Sequence, residues 1–246
     1  MTMQLARRPF LAVAVAASGL LAAPRRARAA ESPVRGSGVA ATQRRDIGAF
    51  TGVGLGAPFA VVLRPGSREA IEIVADDNIL PLVETSLRDR TLQIELPRHI
   101  RIEPRTPIVV TVDYVHLDDL AVGGSGRISA KSMKAARLDA AIGGSGSIDL
   151  ADLDAGSLAV AIGGSGSLRA DGRARKVSVN VAGSGSCDAE HLVAAEVAVN
   201  IAGSGSARVH AESALRASIA GSGDLHHGGA ATPQVSIIGN GRVRRI

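Results

Sequence analysis

The 246-residue sequence predicts an all-β protein, a parallel β-helix with coils of 18 to 20 residues behind an N-terminal capping region, and three observations carry that reading. The first is a phrase that returns seven times: Gly124-Ser125-Gly126, Gly144-Ser145-Gly146, Gly164-Ser165-Gly166, Gly183-Ser184-Gly185, Gly203-Ser204-Gly205, Gly221-Ser222-Gly223 and Gly239-Asn240-Gly241. A fixed period near 20 belongs to a solenoid, whose single turn cannot bury its own apolar face and must stack on its neighbours. The second is strict alternation before each corner, as in Leu138, Ala140, Ile142 and Val197, Val199, Ile201, with an apolar position resuming at Ile128, Ile148, Leu168, Cys187, Ala207, Leu225 and Val243. Period two separates strand from helix. The third is composition: three Phe, one Tyr and no Trp, all before the repeats at Phe10, Phe50, Phe59 and Tyr114, which suits a slim tube lined by aliphatic ladders.

Such a coil has a contour of roughly 60 to 65 Å, enough for two or three short strands and their corners, and seven coils stack into a rod on the order of 30 Å long. The glycines belong at a corner, where stacked backbones approach closely. A leucine-rich repeat has a similar period but requires a dense leucine framework and a helical half-coil, and neither is visible.

Taken in order, residues 1–29 read as an export signal: Arg7-Arg8 precede an apolar run from Pro9 to Ala23, and Ala27-Arg28-Ala29 offers small residues at the cleavage position. Arg7-Arg8-Pro9-Phe10-Leu11 matches the twin-arginine pattern. Residues 30–45 read as a flexible leader. Within 46–115, strands are expected over Phe59–Leu63, Ala70–Ala75, Thr91–Leu96 and Ile108–Tyr114, the first two flanking a Pro65-Gly66 turn. A short helix is expected in Asn78–Leu87, limited by Pro81 to a first turn. This stretch reads as the cap that covers the open edge of the tube, and 116–246 as the repeat β-helix.

Removal of the export segment takes five arginines and no acids from 28 basic and 23 acidic residues, leaving 23 of each and a mature net charge of zero. With no basic excess and no aromatics in the repeats for base stacking, nucleic acid is set aside as a partner. A lone cysteine, Cys187, forms no intramolecular disulfide and falls in an inward column, as a small hydrophobe. After the signal no apolar run is long enough to span a membrane.

Asp46-Ile47-Gly48-Ala49-Phe50, Val61-Val62-Leu63 with its Pro65-Gly66 turn, Ile71-Glu72-Ile73, Asp77-Asn78-Ile79-Leu80 and Leu92-Gln93-Ile94, followed by the Gly-Ser-Gly coils, resemble the head GIN domain family of auto-transporter adhesins. The resemblance covers residues 46–246. It implies an exported, right-handed parallel β-helix of bacterial envelopes with no established catalytic residues. The chain lacks the C-terminal β-barrel translocator of an autotransporter, and fold alone does not define activity.

Calcium repeats of the form Gly-Gly-x-Gly-x-Asp need an aspartate where this chain has Ile128, Ile148, Leu168 and Cys187. Phosphate loops need a Lys-Ser or Lys-Thr after the glycines, and none follows. His191, His210 and the pair His226-His227 lack a third ligand at recognisable spacing, so no metal site and no cofactor is expected. Asp149, Asp152 and Asp154 cluster in one coil, with Arg169, Asp171 and Arg173 one coil on, a grouping that would suit a polysaccharide-acting enzyme but whose spacing does not repeat in adjoining coils, as on a solvated face. The candidate binding residues are the corner column Ser125, Ser145, Ser165, Ser184, Ser204, Ser222 and Asn240, with Asn180 and Asn200 beside it. Its hydroxyls either satisfy corner backbone groups or form a hydrogen-bonding stripe for an extended glycan or a partner strand. The leading expectation is a non-enzymatic interaction or adhesion module of the cell envelope, periplasmic or surface-exposed, whose partner is an envelope protein or polysaccharide. The alternatives are the polysaccharide enzyme and a self-assembling rod.

Overall fold

The computed structural model describes residues 33–246, so the export signal expected over 1–29 lies outside the described residues. The chain runs β1 (Val34–Arg35), β2 (Ala40–Arg45), β3 (Gly52–Leu55), β4 (Ala60–Pro65), β5 (Ala70–Asp76), β6 (Glu84–Arg88), β7 (Thr91–Glu95), β8 (Ile102–Glu103), β9 (Val109–Tyr114), β10 (Asp119–Val122) and β11 (Arg127–Ala130). It continues through β12 (Met133–Ile142), β13 (Ser147–Ile162), β14 (Ser167–Gly183), β15 (Ser186–Gly203), β16 (Ser206–Gly221), β17 (Asp224–Gly228), β18 (Pro233–Gly239) and β19 (Arg242–Arg245). Strands β12 to β16 bend around corners, and each pairs in parallel with the next one. The fold is therefore the expected β-solenoid.

Each full coil has three sides. Face one carries the residues before the glycine corner, where Val122, Ile142, Ile162, Val181, Ile201 and Ile219 stack in register and are all buried. Face two follows the corner and stacks Val61, Ile128, Ile148, Leu168, Cys187, Ala207 and Leu225. A shorter third side buries Met133, Leu153 and Leu192, with Ala135, Ala155, Ala174 and Ala194. The core is the stack of these columns, apolar because alternation aims every second side chain into a tube too narrow for water.

The N-terminal end is closed by a change of strand direction. Below the first coil, β7 lies parallel to β3 and β9 parallel to β4. Then β5 pairs antiparallel with β9, β2 with β5, and β6 with β7. Parallel stacking offers another coil an open edge, and the antiparallel strands end that template. Phe50, Phe59 and Tyr114 are buried at this end, where the cap gives rings room.

Two expectations need correction. Residues 34–45 are not a flexible leader: β1 pairs with β8, and β2 joins the main sheet on β5. The segment AATQRR lacks apolar alternation because it is an outer strand, ordered by long-range pairing that no local pattern advertises. The stretch Asn78–Leu87 holds a single 3-10 turn, Leu80–Leu82, with Pro81 in that first turn, and β6 begins at Glu84 where helix was expected to continue.

Candidate functional site

The glycine corner is built by steric exclusion. A Cβ on Gly144 would lie 2.4 Å from the Gly124 carbonyl oxygen of the coil before, and one on Gly146 would lie 2.5 Å from Val122 Cγ1. Gly183 also holds φ at +131°, a conformation open to glycine and costly for other residues. Of each triplet only the central residue therefore has a side chain, and that side chain points outward. Ser125, Ser145, Ser165, Ser184, Ser204, Ser222 and Asn240 are all exposed.

The amides of the central residues at these corners bond to the coil before. Ser145 N–H donates to Gly124 O at 3.1 Å, Ser184 N–H to Gly164 O at 3.1 Å, and Asn240 N–H to Gly221 O at 2.8 Å. The first residue of face two repeats the pattern, as in Ser147 N–H to Gly126 O at 3.0 Å. These corner bonds run from main chain to main chain between coils, and the hydroxyls make none of them. Among the described residues no side chain of the column has a hydrogen-bond partner, so the stripe faces water with its donors and acceptors free.

Asn180 and Asn200 lie on the outer surface of face one, in register with each other. Asn200 Nδ2 donates to Asn180 Oδ1 at 3.0 Å, and Ser218 and Ser236 occupy the next two rungs of the same column. Ala182 and Ala202 separate these positions from the corner, so the asparagines and the serine column form one surface of small and polar groups. A shallow groove of about 440 Å³ runs at its C-terminal end past Asn200, Arg216, Ser218 and Gln234.

The acidic grouping does not converge on one centre. Asp149 stands on face two opposite Arg169, whereas Asp152 occupies the next corner with φ at +51° and Asp154 lies on the third side. Arg173 grips Asp154 through two bonds of 3.0 and 2.7 Å, which hold this carboxyl below the usual carboxylate range. Ser132 donates to Asp152 at 3.3 Å, and Arg169 leans toward Asp171 at 3.5 Å. A cleft of about 370 Å³ lies between Lys134, Asp152 and Arg173.

The histidines are likewise dispersed. His210 Nε2 meets Glu212 at 2.8 Å, while His226 faces outward and His227 inward on β17. Among the described residues no three His, Cys, Asp or Glu side chains gather as metal ligands, and no helix is long and apolar enough to cross a membrane. Cys187 is buried between Leu168 and Ala207, and burial, with Asp188 beside it, pushes its thiol up to about 12.

Sequence reasoning missed two further outward columns, those of face two. The first begins one residue after each glycine corner at Arg127, Ser147, Ser167, Ser186, Ser206 and Asp224, and the second lies two residues further along each strand. The signal lay in reading these positions down the repeats instead of along the chain.

This architecture defines a capped parallel β-helix with a solvent-facing glycine-serine corner. The family model described as "Putative auto-transporter adhesin, head GIN domain" matches residues 49–231, and the chain belongs to that family. Three solved structures share the fold. A "putative adhesin" from Bacteroides fragilis superposes with a TM-score of 0.80 at 20% identity, over 87% of this chain and 100% of its own. A "putative lipid binding protein" from Parabacteroides distasonis gives 0.73 at 24% identity, with 87% and 100% covered. A "putative adhesin" from Parabacteroides merdae gives 0.66 at 24%, with 87% and 98% covered. No curated protein matches the chain.

Proposed function

We propose that this chain is an exported, non-enzymatic interaction module of the bacterial cell envelope, which meets an extended partner along its serine corner and the adjoining Asn180 and Asn200 surface. The observation that carries the reading is the state of the corner. Seven exposed polar side chains stand in one column at a rise of about 4.8 Å, and among the described residues none is hydrogen-bonded to the backbone behind it. A regular row of free hydroxyls fits a partner that is itself regular, an extended protein strand or a polysaccharide. Each bond contributes only about 0.5–1.5 kcal/mol, so repetition has to supply the affinity.

Membership of a family described as auto-transporter adhesins supports both the interaction role and a location outside the cytoplasm. Against the polysaccharide-acting alternative, Asp149 stands on a different side of the coil from Asp154, and Asp154 is occupied by Arg173.

The test is affinity capture from a native envelope extract on the immobilised chain from residue 30 onward. The reading expects saturable retention of one protein or polysaccharide, lost when Ser145, Ser165, Ser184 and Ser204 are all replaced by Gln in a protein with unchanged circular dichroism. Retention that survives the replacement removes the corner from the reading. Turnover of a retained polysaccharide, abolished by Asp152→Ala with Asp154→Ala, makes the protein an enzyme instead.

A further inference from the structure

The two outward columns of face two carry a pattern that one molecule does not use. The first reads Arg127, Ser147, Ser167, Ser186, Ser206, Asp224, and the second Ser129, Asp149, Arg169, Asp188, Arg208, His226, each rung in register with the next. Opposite charges on successive rungs normally stabilise a sheet by pairing across strands. Here they do not close. Arg169 turns along its own strand toward Asp171 at 3.5 Å, Arg127 donates to Ser147 Oγ at 3.1 Å, and Asp188 accepts only from Glu190 N–H at 3.4 Å. Among the described residues Asp149 and Arg208 take part in no ion pair.

Over these six rungs both columns are complementary to their own reversal, and the next rung, Arg242 and Arg244, falls on the uncharged Ala60 and Val62. Let a second copy lie antiparallel on this face, related by a two-fold axis that runs along the strands midway between the rungs of Arg169 and Asp188. Each column then meets itself end for end. Arg169 faces Asp188, Asp149 faces Arg208 and Arg127 faces Asp224, every pair occurring twice by symmetry. Between them Ser147 faces Ser206 and Ser167 faces Ser186, small groups that let the faces approach. His226 falls on Ser129, so no charge in the six rungs meets its like.

The register is selective as well as permissive. A slip of one coil sets Asp149 on Asp188 and Arg169 on itself. A parallel arrangement about the second column sets every charge against its own copy, and like charges across an interface are repelled. The strip ends at the corner that bears Asp171 and Glu190, which limits contact to these two columns.

We propose that face two is the interface of an antiparallel homodimer, held by six ion pairs across a serine-lined centre. Six rungs of two columns make a strip of roughly 25 by 10 Å, well short of the ~800 Å² per partner of a standard interface, so the dimer is weak and sensitive to salt. The serine corner and face one stay open, so the dimer does not depend on the function proposed above.

Sedimentation velocity on the chain, taken up to about 200 µM in about 20 mM and about 500 mM salt, tests this. The expected result is a reversible monomer–dimer equilibrium whose dissociation constant rises at least about tenfold in high salt. Arg169→Asp with Arg208→Asp makes the central stretch of the second column, its four middle rungs, wholly acidic, and that protein is expected to stay monomeric. Asp149→Arg with Asp188→Arg makes it wholly basic and monomeric too, yet the two variants mixed are expected to form a heterodimer. The fourfold inversion of all these positions is again self-complementary and restores the homodimer. Arg127→Asp, in the other column, provides a separate weakening. A wild type that is monomeric throughout the low-salt range overturns the proposal. So does a folded Arg169→Asp, Arg208→Asp variant that dimerises like the wild type, or a folded mixture that fails to associate.

Discussion

The carboxylate of Asp76 accepts a hydrogen bond from Thr106 Oγ1 at 2.8 Å, and this pair is the centre of a buried knot that fastens the N-terminal segment to the cap. The same carboxylate receives Arg105 N–H at 2.8 Å, Gly38 N–H at 3.0 Å and Thr106 N–H at 3.2 Å, in a residue with 0% exposure. Burial alone raises its pKa, but the bonds from Arg105, Thr106 and Gly38 outweigh it and hold the carboxyl below its ordinary value.

Because the folded pKa of Asp76 is depressed, its contribution to stability is present above the unfolded value of about 3.9 and is lost as pH falls through the lower folded value. Asp76→Asn keeps the shape and removes the charge. It is expected to lower the urea midpoint at pH 7 and to flatten the acid limb of the stability profile below about pH 4. Limited proteolysis of that variant should cut first within 34–45, the strands the knot secures.

Two glycines on neighbouring corners should respond oppositely to alanine. A Cβ on Gly185 would meet Ile162 Cγ2 at 2.4 Å and Gly166 O at 2.7 Å, whereas the nearest atom to one on Gly163 is Ile142 O at 3.8 Å. Gly185→Ala is expected to cost about 2–3 kcal/mol through overpacking, and Gly163→Ala to change stability by less than about 0.5 kcal/mol. Thermal or urea unfolding of the two variants side by side checks the contrast.

His227 supplies a second pH dependence, confined to the C-terminal coils. It occupies an inward column between Val209 and Arg245, is 5% exposed, and its Nδ1 has no hydrogen-bond partner. Burial and then the nearby Arg245 cation lower its pKa, so the folded protein keeps it neutral while an unfolded chain takes up a proton. Stability is therefore expected to decline as pH falls below about 6.5. Hydrogen exchange should quicken first in β17 to β19, and His227→Val should remove that acid sensitivity.

Cys187 is expected to resist thiol reagents in the native state, since its raised pKa leaves almost no thiolate and its neighbours exclude the reagent. Labelling rates measured across a urea series should track the unfolded fraction. Rapid labelling in native buffer would show that the column opens locally.

The architecture was legible in the chain because a coil is a local object. Val177, Val179 and Val181, then Gly183-Ser184-Gly185, then Cys187 spell one side, one corner and the start of the next side within a few residues. Period-two alternation sets which side chains face the tube, and the recurring glycines set where the chain turns. Copies of that unit at a near-constant interval leave stacking as the only way to bury the apolar side, so the solenoid, the inward Cys187 and the outward serine column followed from residue order alone. The cap was less legible. Strand β2 has no amphipathic pattern and is held by β5 and by Asp76, partners some 30 residues away, while β6 emerged where a helix was expected because β7 supplies an antiparallel edge. Asp149, Asp152 and Asp154 are neighbours in sequence, yet the corner at Asp152 turns Asp149 away from the cleft that Asp152 and Asp154 share. The charges of face two are nearly twenty residues apart in the chain and one strand spacing apart in the coil stack. Alternation and glycine are written locally, but which rung lies above which depends on the length of every intervening coil, and only the closed stack of backbone hydrogen bonds sets that register.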